Sequence, residues 1–423
     1  MKNNDNMMHL RLQLNDLLNR MPDKPAKQSR VAFDAFRNTG FPTTKWEDWR
    51  FTSVSDLQRA DWRLSLPSDL PSDLSGISTD TGITPYSINF INGHFQPHLS
   101  FLPPEVEIFN LTDFYNNNSL PIFDVQHKHD PFYLLNTALF DSGQAIIIPD
   151  NTTIEKPIDI NYIKTGFTDL IMFQPRTIIQ VGSGSEVSII ESHVGDNNLA
   201  YFTNNRSEIQ VGTKSRLNYL SFQEDSLQAY HIHSVVIDQE RNSLVSAGFF
   251  NIGSLLSCNN VLTHLNGEGA ELNMFGLSQS ANVQHMDIQS IVYHNSPNCS
   301  STQLFKNILS GRSKGVFKGR VIVSKDAQKT DARQSNKNIL LSNDARMNSD
   351  PQLEIYADDV KCSHGSTTGA MDEDAIFYLR SRGLDLFEAK SLLIDGFAGE
   401  IIHKISDKNI RKIITQKIRN LKI

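Results

Sequence analysis

A repeat of short strand-like segments constrains the fold of this chain more than any other feature. From about residue 145, β-branched runs are separated by Gly, Asn and Ser, with almost no helical period. Four of these runs align at Val187, Leu217, Leu244 and Leu272, which are 30, 27 and 28 residues apart. This spacing is typical of a β-solenoid, in which each coil buries its apolar side against the next. A β-sandwich also has alternating strands, but the matching turn residues favour the solenoid.

Helical patterns flank the repeat on both sides. Apolar residues at three- and four-residue steps predict an amphipathic helix over residues 7–21 and a second helix over about 28–39. After the repeat, Asp372 can serve as the N-cap of a helix that Gly383 closes. Further helices are predicted over residues 384–404 and about 409–421, the last with a basic face.

A chain of 423 residues is too long for one ordinary hydrophobic core, so several domains are expected. The changes of pattern divide it into four segments. Residues 1–64 form a predicted N-terminal helical domain, and 65–85 form a linker rich in Ser, Pro, Asp and Gly. Residues 86–371 form the predicted β core, and 372–423 form a C-terminal helical domain. We therefore expect a mainly β protein with a helical domain at each end.

Composition narrows the function classes. The net charge of -7 and pI near 6.0 argue against nucleic acid as the main partner. Three sparse cysteines, Cys258, Cys299 and Cys362, indicate a reducing compartment. The N-terminus lacks a long apolar segment, and no apolar run approaches the ~18 residues of a membrane span. We expect a cytoplasmic protein that does not bind membranes.

Several enzyme classes lack their sequence motifs here. The sequence contains no Gly-x-x-x-x-Gly-Lys-Ser/Thr, so we expect no nucleotide site in this chain. Motifs of the His-Glu-x-x-His and Cys-x-x-Cys types are also absent. Asp358 and Asp359 could suggest a carbohydrate-active solenoid, but adjacent residues of one strand point to opposite faces.

Cys362 and His364 are the strongest candidate ligands in the sequence. They stand two residues apart at the end of a strand-like run over residues 353–365, so an extended chain points both side chains the same way. Thiolate and imidazole are ligands that iron-sulphur clusters and borderline metals prefer. Two ligands do not close a site. Either another chain or region completes it, or the pair belongs to a core.

Other histidines and cysteines favour a structural interpretation. His231 and His233 share a strand face, but a satisfied or surface histidine is commoner than a ligand, and the same holds for His285 and His294. Cys258 and Cys299 are expected to be small core residues.

Several ordered blocks in the second half of the chain resemble the SufB/SufD family of iron-sulphur cluster assembly proteins. They lie at residues 315–319, 327–334, 338–342, 351–365, 377–383 and 396–398. The block Cys362-Ser363-His364-Gly365, together with the lack of a Cys-x-x-Cys motif, is similar to the SufD branch rather than the SufB branch.

The resemblance implies a right-handed parallel β-helix with flanking helical domains. It also implies a scaffold without catalysis of its own, which pairs with a SufB-like paralogue and binds the ATPase SufC through its C-terminal helices. His364 would then be a candidate ligand for iron or a transient cluster at the SufB interface, with Cys362 a weaker candidate. Whether the chain forms a homodimer where SufB is absent stays open at this point. The alternatives are a purely architectural SufB partner and an independent carbohydrate-active β-helix.

Overall fold

The computed structural model describes residues 2–74, 77, 84–117, 130–140 and 142–420. Its helices are α1 (Lys2–Leu18), α2 (Asp23–Thr39), α3 (Ser55–Arg59), α4 (Leu111–Asn117), α5 (Pro131–Leu139), α6 (Glu373–Ser381), α7 (Leu386–Ile402) and α8 (Lys408–Asn420). The strands before the regular repeat are β1 (Arg63–Leu64), β2 (Tyr86–Ile91), β3 (His94–Phe95), β4 (Glu107–Asn110), β5 (Gly143–Ile148), β6 (Ile158–Lys164), β7 (Ile171–Phe173) and β8 (Arg176–Val181).

The regular repeat consists of long strands that alternate between two sheets. These strands are β9 (Glu186–Gly195), β10 (Tyr201–Val211), β11 (Arg216–Glu224), β12 (Tyr230–Gln239), β13 (Leu244–Asn251), β14 (Leu256–Leu265), β15 (Glu271–Ser280), β16 (His285–His294), β17 (Ser300–Leu309), β18 (Lys314–Val323), β19 (Thr330–Leu340), β20 (Arg346–Ile355) and β21 (Val360–Ala370).

The two sheets form a parallel β-solenoid. One sheet runs through β8, β10, β12, β14, β16, β18 and β20, and the other through β9, β11, β13, β15, β17, β19 and β21. Neighbours within each sheet pair in parallel, one coil apart. This pairing confirms the predicted β-helix core and excludes the β-sandwich, whose sheets are antiparallel. Flanking helices at both ends complete the predicted architecture.

Residue register corrects one position of the sequence repeat. Leu217 pairs with Val187 on one side and with Val245 on the other, and Val245 pairs with Leu272. Leu244, which the sequence alignment placed in this row, instead pairs with Arg216. The adjacent apolar residues Leu244 and Val245 made a one-residue error easy, and in a strand such an error exchanges the two faces.

The turns between the sheets explain why Gly and Asn recur in the repeat. Gly184, Lys214 and Asn242 occupy equivalent corners of successive coils and have φ values of 71°, 60° and 55°. Their backbone amides each donate to a carbonyl one coil further along. Glycine and asparagine tolerate this left-handed conformation better than other residues.

Both flat sides of the solenoid are covered by helices. The apolar faces of α1, α2 and α5 pack on the outer side of the first sheet, against Met172, Phe202, Ile232 and Leu256. Helices α7 and α8 pack on the outer side of the second sheet. No helix within the described residues is long and apolar enough to span a membrane.

The helix boundaries agree in outline with the sequence. Helix α1 ends three residues before the predicted end, while α2 starts earlier because Pro25 fits the first turn of a helix. Asp372 accepts hydrogen bonds from the first-turn amides of α6, which confirms its predicted capping role. Part of the predicted linker lies outside the described residues. Within its first part, Asp69 pairs with Arg63 and is held on the core.

Candidate functional site at the open end of the solenoid

The terminal coil leaves one end of the solenoid uncovered. Strand β20 is the last strand of one sheet and β21 the last of the other, and no described strand pairs with the free edge of either. Most of β21 is exposed, whereas the corresponding positions of β19 are largely buried or half-buried. An edge with unpaired backbone groups and exposed inward-facing side chains is a surface on which another chain can add strands. We call β20 and β21 together the open end.

His364 is the last residue of a row that runs through the solenoid interior. In parallel strands, paired residues point their side chains to the same side of the sheet. The side chain of His364 therefore points the same way as that of its paired residue Gln334. Gln334 is buried, but His364 is exposed because no further coil covers it. The row consists of Ile189, Tyr219, Ala247, Met274, Gln303, Gln334 and His364.

This row becomes polar as it approaches the open end. Ser290 donates a hydrogen bond of 2.8 Å to the side-chain oxygen of Gln303. Neither side-chain polar atom of the buried Gln334 has a hydrogen-bond partner within the described part of the chain. Buried amides normally find partners, so Gln334 leaves hydrogen-bonding capacity directly beneath His364.

Cys362 ends a neighbouring interior row but is less accessible. It pairs with Ala332 and packs against an apolar cluster that includes Val321, Val323 and Ala357. Burial raises the pKa of the Cys362 thiol above its ordinary value, and the nearby Asp331 carboxylate acts in the same direction. Since metals bind the thiolate, this environment makes Cys362 a poorer ligand in the isolated chain.

The structure brings Cys362 and His364 onto one face, as predicted, but in a strand that begins later than expected. The predicted run over residues 353–365 is broken into β20, which ends at Ile355, and β21, which begins at Val360. Strand β21 continues without interruption past His364, so no bend separates the two candidates. Asp358 and Asp359 lie in the bend between the strands rather than on opposite faces of one strand.

A second exposed surface lies on the C-terminal helices. Helices α6 and α7 leave large apolar side chains in solvent, although α7 also packs on the solenoid through Ile394 and Ala398. Phe377 is 75% exposed and Phe387 is 71% exposed. A set of large exposed apolar side chains on neighbouring helices is typical of a protein contact surface. The set, which we call the helical apolar surface, comprises Phe377, Tyr378, Leu386, Phe387 and Leu392.

Three histidines that are distant in sequence meet inside the solenoid, and the sequence did not predict this contact. His231 and His233 were predicted to be satisfied or surface residues. Both are buried beside the carboxylates of Asp225 and Glu191, and both also lie beside the buried His193. The only signal in the sequence was the shared strand face of His231 and His233. The contact with His193 depends on the distance between two sheets, which no local pattern specifies.

Comparison with known proteins gives matches over almost the whole chain. The family model described as "SUF system FeS cluster assembly, SufBD core domain" matches residues 163–397, and the "SufBD protein N-terminal region" model matches residues 1–160. An iron-sulphur cluster assembly SufBD family protein of Synechocystis is 33% identical over 393 residues, covering 88% of this chain and 86% of that protein.

Two further relatives extend over most of both chains. Iron-sulphur cluster assembly protein SufD of Escherichia coli is 29% identical over 405 residues, covering 93% of this chain and 92% of that protein. Protein ABCI7, chloroplastic, of Arabidopsis thaliana is 28% identical over 432 residues, covering 98% and 90%. These matches include both the helical regions and the solenoid.

Proposed function

Because this chain belongs to the SufBD family of iron-sulphur cluster assembly proteins, we propose that it is a SufD-type scaffold subunit that pairs with a SufB-like paralogue. Pairing would use the open end, where both sheets stop at unpaired strands. The observation that carries the proposal is the position of His364, which an interior row presents at this uncovered end. The nascent cluster, or the iron for it, would be cargo held between the two chains.

In this proposal His364 is the ligand and Cys362 has a supporting role. His364 is exposed, so a partner chain can supply the remaining ligands of a tetrahedral site. Cys362 is half-buried, and the burial that raises its pKa disfavours the thiolate. Pairing would bury Cys362 further and would disfavour its thiolate still more. A bound metal ion would offset this effect by stabilising the thiolate.

The helical apolar surface is the proposed binding site for a SufC-like ATPase. The sequence lacks a phosphate-binding loop, so ATP chemistry would come from a partner. The face of α7 and α8 that packs on the solenoid anchors these helices, while Phe377 and Phe387 point into solvent. Non-catalytic action of this subunit is part of the same proposal.

Exchange of the helical apolar surface for polar residues tests the ATPase contact. We expect the double variant Phe377→Ser, Phe387→Ser to fold normally but to lose most SufC-like partner in a co-purification experiment. The matched control is Phe101→Ser, which removes a phenylalanine that is 63% exposed near the first coils. Full recovery of the SufC-like partner with the double variant would contradict this site.

Two alternatives remain distinguishable from the ligand role of His364. An architectural SufB partner predicts that His364→Ala weakens pairing before it alters iron or sulphide content. An independent carbohydrate-active β-helix predicts glycan hydrolysis by the isolated chain.

Sedimentation of the isolated chain would further show whether a second copy occupies the open end when the SufB-like partner is absent.

A further inference from the structure

A second group of metal-ligating side chains lies inside the solenoid, in coils that precede the open end. His193 is on β9, and His231 and His233 are on β12 of the other sheet. All three side chains are fully buried, and one ring nitrogen from each lies within 4.8 Å of the others. Imidazole nitrogens are the protein ligands that zinc(II) and iron(II) accept most often. We call these three residues the internal histidine cluster.

His193 has unused hydrogen-bonding capacity in the protein interior. Its ring stacks on Tyr162 at a centroid distance of 4.7 Å, but neither nitrogen has a hydrogen-bond partner within the described residues. Leaving such a group unsatisfied costs roughly 1–3 kcal/mol. His294, another buried histidine, differs because its Nε2 lies 2.8 Å from Ser301 Oγ. Packing alone therefore accounts for His294 but not for His193.

Buried carboxylates lie against the other two histidines. His231 Nδ1 is 2.8 Å from Asp225 Oδ2, an ion-pair distance without good hydrogen-bond alignment, and its Nε2 has no partner in the described part of the chain. His233 Nε2 is 3.1 Å from Glu191 Oε2. Histidines that bind metals usually direct their second nitrogen at a carboxylate or carbonyl, which orients the ring.

The charges around the internal histidine cluster favour a cation. Glu191 and Asp225 bring two acidic groups into the interior, while Lys164 is the basic side chain paired with Asp225 at 3.0 Å. Burial lowers the pKa of Lys164, which weakens its ability to balance both carboxylates. Hydroxyl groups of Ser207 and Tyr219 donate to Glu191 and fix its position.

We propose that His193, His231 and His233 bind one divalent transition-metal ion of the zinc(II) or iron(II) class inside the solenoid, with Asp225 and Glu191 as positioning residues. Metal-nitrogen bonds of about 2.0–2.1 Å place the nitrogens of a tetrahedral site roughly 3.4 Å apart. The widest pair in the internal histidine cluster would therefore close by about 1.4 Å, a movement that side-chain rotation can supply. All ligands come from one chain, so this site goes beyond the proposed function and needs no partner subunit.

Cobalt(II) is a suitable probe, because it occupies zinc sites and has visible ligand-field bands. The internal histidine cluster is enclosed, so metal is expected to load while the chain folds. We would produce the full-length chain in metal-depleted medium supplemented with cobalt(II), then measure cobalt content and visible absorption. The expected result is one cobalt(II) ion per chain, with imidazole-nitrogen ligation and no thiolate charge-transfer band.

Matched variants separate the internal histidine cluster from the open end. We expect His193→Gln and His193→Phe to lower cobalt content at least fivefold, and His193→Phe retains the stacking on Tyr162. The control His294→Gln alters a buried histidine that has a partner, and His364→Ala alters the open end; both should retain one ion.

Cobalt-free wild-type protein, or equal cobalt content in folded His193 variants, would overturn the proposal. If neither His193 variant folds, X-ray absorption of the wild-type cobalt protein decides, because three imidazoles give characteristic multiple scattering. A spectrum without imidazole ligation would contradict the site. Loss of cobalt in His364→Ala alone would instead assign the ion to the open end.

Discussion

The internal histidine cluster and the open end contain the same kind of ligand in opposite surroundings. His193 is enclosed by complete coils on both sides, whereas His364 follows the same strand periodicity to a coil that has no successor. In a solenoid, each coil is covered by its neighbours, so the accessibility of an interior residue depends on its position along the axis. Residues of an interior row are therefore sealed within the middle coils and accessible in the last coil.

The largest expected difference in stability is between a buried ion pair in the enclosed coils and an exposed ion pair near the open end. Asp225→Ala leaves buried Lys164 without its partner, and we expect the free energy of unfolding to fall by about 3–5 kcal/mol. Asp331→Ala removes an exposed pair with Arg333 near the open end, and the expected loss is at most about 1 kcal/mol. Urea denaturation in the presence of chelator measures both. Equal losses would remove the distinction between enclosed and open coils.

Met274 and His364 belong to one interior row, so substitutions there compare the stability contributed by an enclosed and by an exposed side chain. Met274→Ala should cost about 2–5 kcal/mol, because its side chain is enclosed by adjacent coils. His364→Ala should change the free energy of unfolding by no more than about 0.5 kcal/mol, because the side chain is exposed. A large loss for His364→Ala in the isolated chain would mean that the open end is already packed.

The side of the solenoid that the N-terminal segment covers is expected to make a smaller, pH-dependent contribution to the free energy of unfolding. Asp287 accepts a hydrogen bond from Thr52, and burial raises its pKa to about 6. A raised carboxyl pKa stabilises the fold below the ordinary value of 3.8, and this contribution is lost as pH rises through about 6.

Asp287→Asn abolishes this titration. From pH 5 to pH 7, wild type should lose about 1 kcal/mol of unfolding free energy relative to Asp287→Asn. The neighbouring His285 is present in both proteins, so taking the difference largely removes its contribution. Denaturant titrations at pH 5, 6 and 7 measure the effect, and parallel profiles for the two proteins would contradict it.

Sequence patterns predicted the helices and strands but not the contacts between them. The period from Val187 to Leu217 and the cap at Asp372 predicted the solenoid and α6, because turn and capping preferences are local. The shift from Leu244 to Val245 required the observed register. The internal histidine cluster could not be predicted, since His193 and His231 meet only through the packing of two sheets.

The candidate site at the open end was predictable in residue type but not in accessibility. Strand alternation placed Cys362 and His364 on one face, which the structure confirms. Their different exposure follows from the apolar cluster around Cys362, formed by residues from four strands and two connecting segments. The half-buried environment of Cys362 therefore became visible only in the folded chain.

Iron and sulphide content of the reconstituted complex is the direct measure of the proposed ligand role of His364. We would co-purify the chain with SufB-like and SufC-like partners, reconstitute anaerobically, and compare wild type with His364→Ala. The control is His98→Ala, an exposed histidine beside β3 at the opposite edge of the same sheet. We predict intact assembly in both variants, with cluster content reduced several-fold only in His364→Ala. Normal cluster content in His364→Ala would contradict a ligand role for this residue.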